Sequence, residues 1–355
     1  MTQLHNRVDR RLLKQRLQEE DFKRVTLSFY RYVILENPQE VRDRLFLQWQ
    51  HLNCLGRIYV AREGINAQMS VPEEHYQRFI DELYAWPEFK AVPFKIAVED
   101  DGKSFFKLAV KLREKIVADG LHDGDYDVTN VGRHLSAEEF NEALALPDTI
   151  VVDMRNHYES EVGHFEGAIC PDVDTFREEL PLVADMLQDK KDKKLLLYCT
   201  GGIRCEKASA YFKHLGFEDV NQLHGGIIEY ARQVTYKGLP SKFKGKNFVF
   251  DERLGERISD EVIAHCHQCG TPADSHTNCN NEACHLLFIQ CDACAQKYNG
   301  CCSEACQLIY QLPEDKQKII RKGLSKEQNN IFRKGRFNEK AGTVLEKLGG
   351  LEMKL

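Results

Sequence analysis

Nine of the thirteen cysteines lie between Cys266 and Cys306, and they lie there in close pairs. Cys266-x2-Cys269, Cys279-x4-Cys284, Cys291-x2-Cys294, and Cys301/Cys302 with Cys306 offer enough thiolates for two tetrahedral metal sites. Few large apolar side chains share the stretch, chiefly Leu286, Leu287, Phe288 and Ile289, so ligation has to supply its folding energy. We expect residues 262–310 to fold around roughly two structural zinc ions held by Cys266, Cys269, Cys279, Cys284, Cys291, Cys294, Cys302 and Cys306. One of Cys301 and Cys302 is surplus, because adjacent residues seldom ligate one ion. By analogy with cross-brace modules, the first pair is expected to join the third and the second the fourth. Iron–sulfur ligation is the alternative and suits this spacing less well. His265, His267, His276 and His285 read as surface or supporting residues.

The remainder is too long for one core. Of 355 residues, 42% are apolar, and a single core stops growing near about 250–300 residues. Two or three domains are expected, making an α/β and α+β multidomain chain. No stretch reaches the roughly 18–20 consecutive apolar residues of a membrane span. The N-terminal MTQLHNRVDRRLLKQRLQEED has the charge of a signal peptide without its apolar run. A cytoplasmic protein with no membrane partner is expected. The net charge of −6 is uneven: residues 316–347 hold ten Lys or Arg against three acids, a balance of +7 that leaves −13 for the rest.

Within 1–120, β-branched and aromatic VTLSFYRYVIL, a helical run opened by Pro38, GRIYV, AQMSV, a helix after Pro72 and VPFKIAV give about four strands and two helices. That pattern fits a ferredoxin-like α+β domain. Arg57, Arg62, Lys103, Lys107, Lys111 and Arg113 beside Phe105 and Phe106 leave an RNA-binding role open. Over 127–235, strand and helix alternate. Ser136-Ala-Glu-Glu139 makes a capping box, TIVVDM and KLLLYC read as buried strands, and DTFREELPLVADMLQ and EKASAYFKHLGF as helices. This is α/β with a mostly parallel sheet. Residues 236–261, opening with YKGLPSKFKGKNF, read as a linker, and 311–355 as a basic tail.

Cys199 stands where an apolar strand finishes, followed by Thr200, Gly201, Gly202, Ile203 and Arg204 and then a helix. Backbone N–H groups at that helix N-terminus favour an anion, and Arg204 adds a positive charge, so the thiol should be substantially thiolate. Gly201 and Gly202 let the loop curl around the sulfur. The plain alternative is a core cysteine before an ordinary glycine turn.

Three neighbouring segments favour the reactive reading. Val151-Val152-Asp153-Met154-Arg155 with Glu159, then Gly163-His164-Phe165-Glu166-Gly167-Ala168-Ile169, and Leu223-His224-Gly225-Gly226-Ile227 together resemble the ordered signature of rhodanese domains. The resemblance implies a persulfide-carrying cysteine at Cys199. Cys205 is then either a second thiol able to resolve an oxidised or persulfidated Cys199, or a small helix residue packed on the sheet. Phosphatase loops place five residues between Cys and Arg. Four stand between Cys199 and Arg204, a smaller pocket suited to one sulfur.

The order of parts, with Tyr59-Val-Ala-Arg-Glu-Gly-Ile-Asn-Ala67, Cys199-Thr-Gly-Gly-Ile-Arg-Cys-Glu-Lys207 and Leu287-Phe-Ile-Gln-Cys-Asp-Ala-Cys294, resembles the bacterial rhodanese-family tRNA uridine(34) hydroxylases over nearly the full length. The resemblance implies an oxidoreductase (EC 1.14 class) that uses molecular oxygen to form 5-hydroxyuridine at the wobble position, the first step towards 5-carboxymethoxyuridine. Its implied partner is the tRNA anticodon loop. The residues themselves show a thiol cradle, a metal module and a basic tail, with no flavin or nicotinamide glycine fingerprint and no iron facial triad. Two other classes use the same parts: a sulfurtransferase passing sulfane sulfur, with a sulfur-donor protein as partner, and an RNA or protein scaffold with an inert cradle. Acids crowd the rhodanese region (Asp148, Asp153, Glu159, Glu161, Glu166, Asp172, Asp174), so tRNA phosphates are expected to dock on the N-terminal domain, the linker lysines (Lys237, Lys242, Lys244, Lys246) and the tail.

Overall fold

The computed structural model describes residues 8–122, 124–322 and 331. The polar lead-in contains a helix, α1 (Arg10–Glu19), capped by the Asp9 side chain. Then β1 (Arg24–Tyr32), α2 (Pro38–His51), β2 (Leu55–Ala61), β3 (Gly64–Pro72), α3 (Tyr76–Tyr84) and β4 (Lys95–Ile96) follow the βαββαβ order of a ferredoxin-like domain. A further strand, β5 (Leu108–Leu112), adds parallel to β2, giving the sheet order β4-β1-β3-β2-β5. The helices cover one face, where Phe29, Leu45, Trp49, Ile58, Met69 and Phe79 form the core. The expected strand at 92–98 pairs with β1 at two residues only. At the next position Ala97 N donates to the Thr26 carbonyl at 3.0 Å, while Thr26 N and Oγ1 donate to Asp100 at 2.7 and 2.8 Å.

The second unit comprises β6 (Arg133–Leu135), α4 (Ala137–Leu144), β7 (Ile150–Asp153), α5 (His157–Ser160), β8 (Gly163–Phe165), α6 (Phe176–Met186), β9 (Lys194–Tyr198), α7 (Ile203–His214), β10 (Asp219–Leu223) and α8 (Gly226–Lys237). Four of these strands form a parallel sheet, β6-β10-β9-β7. Successive residues of β9 face opposite sides. Leu195 and Leu197 pack under α6 and α7, while Leu196 and Tyr198 pack under α4 and α8. The Ser136 capping box starts α4. Both faces are therefore covered, which leaves the strand ends as the open side of the sheet.

The segment read as a linker is not one throughout. Phe243–Asn247 is strand β11, antiparallel to β8 and to the short β12 (Glu256–Arg257). Phe243, Gly245 and Asn247 are buried while Lys244 and Lys246 point away, a period of two hidden by the Lys-Gly composition. Beyond it lie β13 (His276–Asn278), β14 (Leu287–Ile289), α9 (Asp292–Lys297), α10 (Glu304–Tyr310) and α11 (Glu314–Lys322). Leu286 and Phe288 pack among cysteine sulfurs. Ala264 and Ile289 instead join Tyr158, Val162 and Phe248, tying this module to the parallel-sheet unit. Most of the expected basic tail falls outside the described residues. Among the described residues, no helix is long and apolar enough to cross a membrane.

Candidate active site

β9 ends at Tyr198, and the chain turns through Thr200–Gly202 into α7. Gly202 has φ of +94°, the left-handed region, and its N–H donates to Cys199 Sγ at 3.1 Å. A Cβ at Gly226, also left-handed at +68°, would come within 2.5 Å of the Cys199 carbonyl oxygen, so the Gly225-Gly226 turn can pack directly on this loop. The sulfur is fully buried. Burial works against the thiolate. A hydrogen bond from the Cys205 thiol, the Arg204 guanidinium and the N–H groups of Cys205 and Arg204 outweigh it, and the Cys199 pKa falls to about 6. Burial and the neighbouring Cys199 sulfur push Cys205 well above the usual thiol range, so it remains a thiol donor.

Arg204 does not project freely into the loop. Its Nη1 donates to Glu159 Oε1 and its Nη2 to Glu159 Oε2, both at 2.8 Å, and Nη1 also donates to the Met154 carbonyl at 3.2 Å. Glu159 is fully buried on α5 and accepts from Thr200 Oγ1 at 3.3 Å. One carboxylate thus orients both the arginine and the loop. Arg204→Lys removes the planar fork and strands a buried carboxylate oxygen. We expect the fold to persist, the Cys199 pKa to rise, and turnover to fall at least about tenfold. Unchanged turnover with an unchanged pH dependence of Cys199 alkylation would contradict this.

Glu179 lies behind the loop on α6, fully buried, with no hydrogen-bond partner for either oxygen among the described residues. Burial is the largest influence and holds its pKa well above the carboxyl range, although Arg204 pulls the other way. Below the ordinary carboxyl pKa, folded and unfolded chains both carry the proton and burial costs nothing extra. As pH rises, the unfolded chain loses the proton first, so stability falls until the folded pKa is reached. Glu179→Gln should therefore raise the melting temperature at pH 8, with a gain that shrinks towards pH 4. Melting curves with a pH-independent difference would refute the buried neutral acid.

The N-terminal domain roofs the loop. Tyr30 Oη donates to Glu206 Oε1 at 2.9 Å and Tyr32 Oη to the Ile203 carbonyl at 3.3 Å, both on α7. Lys207 Nζ, fully buried, reaches Glu63 Oε2 at 2.9 Å, Asp119 Oδ2 at 2.9 Å and the Val117 carbonyl at 3.0 Å. The Glu-Lys after Cys205 is thus a clamp between domains, and its partner Glu63 belongs to the Tyr59–Ala67 motif. Between roof, loop and the segment after β11 lies an open cleft lined by Tyr30, Asn66, Lys95, Cys199, Arg204 and Phe250, among others.

In the C-terminal module, Cys266, Cys269, Cys291 and Cys294 converge, as do Cys279, Cys284, Cys302 and Cys306, each set with its sulfurs within 4.8 Å of one another. This is the interleaved arrangement. A tetrahedron with about 2.3 Å from metal to sulfur has edges of about 3.8 Å. Cys269–Cys291, Cys284–Cys302 and Cys302–Cys306 stand at 3.6, 3.7 and 3.6 Å, so either set could hold a metal ion. The Cys302 N–H and Asn281 Nδ2 point at Cys279 and Cys306 sulfurs, as thiolates require. Cys301 stands outside both sets, and no histidine joins them. Sequence reasoning placed Cys199, its loop and the cysteine pairs. Glu159 as the partner of Arg204, and the roof residues Tyr30 and Lys95, escaped it because each comes from a distant segment.

A rhodanese-like domain model matches residues 136–233, a UPF0176 acylphosphatase-like domain model residues 24–116, and a rhodanase C-terminal model residues 244–307. Fold and cradle together define a rhodanese-domain protein whose cysteine loop is roofed by an acylphosphatase-like domain. The chain is 60% identical over 337 residues to the tRNA uridine(34) hydroxylase of Leptospira interrogans, covering 95% of this chain and 92% of that one. It is 55% identical over 345 residues to that of Escherichia fergusonii (96% and 98%) and 57% over 324 to that of Yersinia enterocolitica (91% and 93%). The chain belongs to the tRNA uridine(34) hydroxylase family.

Proposed function

We propose that this protein hydroxylates uridine 34 of tRNA to 5-hydroxyuridine, with Cys199 as nucleophile and molecular oxygen as co-substrate. The observation that carries the reading is a cysteine whose sulfur accepts from the Gly202 N–H in a loop lining a cleft, walled by segments from the modules shared with the relatives. Addition of the sulfur to C6 of the pyrimidine would make C5 electron-rich, the state that an oxygen donor meets. Thr200, Gly201, Gly202 and Ile203 wrap the sulfur, Arg204 fixes the charge of the loop, and Cys205 donates to the thiolate. The two cysteine sets are assigned to structural zinc: each has four sulfur ligands and no open position.

The tRNA backbone has a natural place to lie. Arg57, Lys107, Lys111 and Arg113 gather where β2 meets the edge strand β5, and none has a carboxylate in ion-pair range among the described residues. Burial and these three neighbours lower the Lys111 pKa, the mark of an uncompensated positive cluster. The lysines of 237–246 are less available. Lys237 pairs with Glu138 at 3.2 Å, Lys244 with Glu166 at 3.7 Å and Lys246 with Asp274 at 3.0 Å. Neutralising the four edge cations should flatten the salt dependence of tRNA affinity by about three log units per log unit of salt. Neutralising the three paired lysines should change it little, and the reverse result would move the docking face.

Mass spectrometry of tRNA nucleosides from a deletion strain, complemented with the wild type or with Cys199→Ala, tests the reaction. Loss of one added oxygen with the variant supports hydroxylation. Loss of sulfur instead would assign a sulfurtransferase, and no dependence on Cys199 a scaffold.

A further inference from the structure

The roof contributes a cation that none of the motifs contains. Lys95, on β4 opposite Ser28, is 7% exposed, yet it lines the same cleft as Cys199. Its Nζ stands 4.3 Å from the centroid of the Tyr30 ring, and its chain lies over the loop, with Cδ and Cε each 3.7 Å from where Cβ atoms at Gly201 and Gly225 would be. Apart from that ring, Nζ has no hydrogen bond or ion pair among the described residues. Burial of most of the side chain raises the cost of the ammonium, and the part of it that stays open faces the cleft.

Four titratable neighbours act on it: Tyr30 on β1, Cys199 in the loop, Glu206 on α7 and Glu229 on α8. Each is otherwise engaged. Glu206 is held by Tyr30, His134 and Gln222, and Glu229 by Gln233 at 3.1 Å. The Cys199 sulfur has Gly202, Cys205 and Arg204 around it. Arg204 is tied to Glu159, and Arg253 across the cleft to Asp251 and Glu256. The ammonium is thus left facing the cleft, where a ligand can supply its acceptor.

We propose that Lys95 is a catalytic residue of this reaction, its ammonium donating a proton to O4 of the uracil as the Cys199 sulfur adds at C6. In that step the sulfur lone pair forms the S–C6 bond, the C5=C6 pair becomes C4=C5, and the C4=O4 π pair moves onto O4. The proton passes from Nζ to O4. Nothing is oxidised or reduced, and the adduct is an enol with an electron-rich C5 beside a neutral lysine. The inference rests on the hydroxylase reading, which supplies the base. Burial lowers the Lys95 pKa to about 8, against the opposing pull of Cys199, Glu206 and Glu229. The group is therefore protonated at neutral pH and ready to yield its proton.

The test is single-turnover conversion of tRNA bearing uridine 34 by full-length, metal-loaded protein, read by nucleoside mass spectrometry across pH 6–10, alongside tRNA affinity and the pH dependence of Cys199 alkylation. For Lys95→Gln we expect the chemical rate to drop about 100-fold, with tRNA affinity within about threefold and the alkylation pKa in place. The wild-type rate should fall above about pH 8, and that limb should vanish in the variant. Lys95→Arg keeps a cation if Lys95→Gln fails to fold. It should bind tRNA, turn over slowly and show no limb near pH 8. A rate within threefold of wild type in either variant, or persistence of the limb, overturns the assignment. If the wild type yields the hydroxylated nucleoside and Lys95→Gln matches it, Lys95 alone is wrong. If the wild type yields none, the hydroxylase reading falls and takes this inference with it.

Discussion

Cys199→Ser is expected to reduce 5-hydroxyuridine formation at least about 1,000-fold while leaving the melting temperature and tRNA affinity near wild type. The cradle stabilises an anion whose parent acid ionises near neutrality. A serine hydroxyl in the same place stays neutral, because its intrinsic acidity lies far beyond what a few N–H groups and one guanidinium can offset. The same electrostatics predict selectivity among thiols. Iodoacetamide near pH 6 should modify Cys199 before Cys54 or Cys170, both of which burial pushes up to about 12, and before Cys205, which is driven higher by burial and by Cys199 itself. Cys170 is the more accessible sulfur, so the expected order rests on the gap in acidity alone. Alkylation of Cys205, Cys54 or Cys170 ahead of Cys199, or a serine variant with more than a few per cent of wild-type turnover, would remove Cys199 from the mechanism.

Removal of metal should also have a large effect, on folding first and on turnover through it. Elemental analysis is expected to give two zinc ions per chain. A chelator strong enough to strip them should abolish hydrogen-exchange protection over residues 262–310, since apparent zinc-binding free energies of about 10–16 kcal/mol are of the size of a small domain's whole folding energy. The damage should spread. Ile289 and Ala264 pack on Tyr158 and Val162, next to Glu159, and on Phe248, two residues before Phe250 in the cleft wall. Turnover should therefore fall at least about tenfold, through loss of this packing behind the cleft wall. One metal per chain, iron with visible absorbance, or a stripped module that keeps its protection would each defeat the two-site assignment.

The cysteine pairs were legible because metal ligation writes itself into short spacings, and the parallel sheet because buried strands such as KLLLYC are continuous apolar runs. The loop could be read for a related reason: a strand end, two glycines and a helix start are all local. What could not be read is whatever depends on two distant segments meeting. Arg204 advertises a charge, but only the fold shows that Glu159, 45 positions away, neutralises and aims it. Lys237, Lys244 and Lys246 looked like a binding arm by composition. Only the fold shows that Glu138, Glu166 and Asp274 stand within ion-pair range of them. Lys95 sits in a segment whose sequence announces only a strand.

The Lys207 clamp bears on how a substrate can enter. Its ammonium and the Asp119 carboxylate are shut away from water, with Glu63 completing the set. Parting the domains would give up these ion pairs together with the Tyr30 and Tyr32 hydrogen bonds to α7, so the closed arrangement is favoured. The clamp therefore holds roof and loop together, and on the proposed reading much of the deformation falls to the RNA. Base 34 has to leave its stack and lean in, an excursion that single-stranded loops make cheaply and duplexes do not. The kinetic ranking of tRNAs would then follow the pliability of their anticodon loops: one with a loosely stacked base at position 34 is modified quickly, and one whose base is pinned between its neighbours slowly, even where both bind equally well.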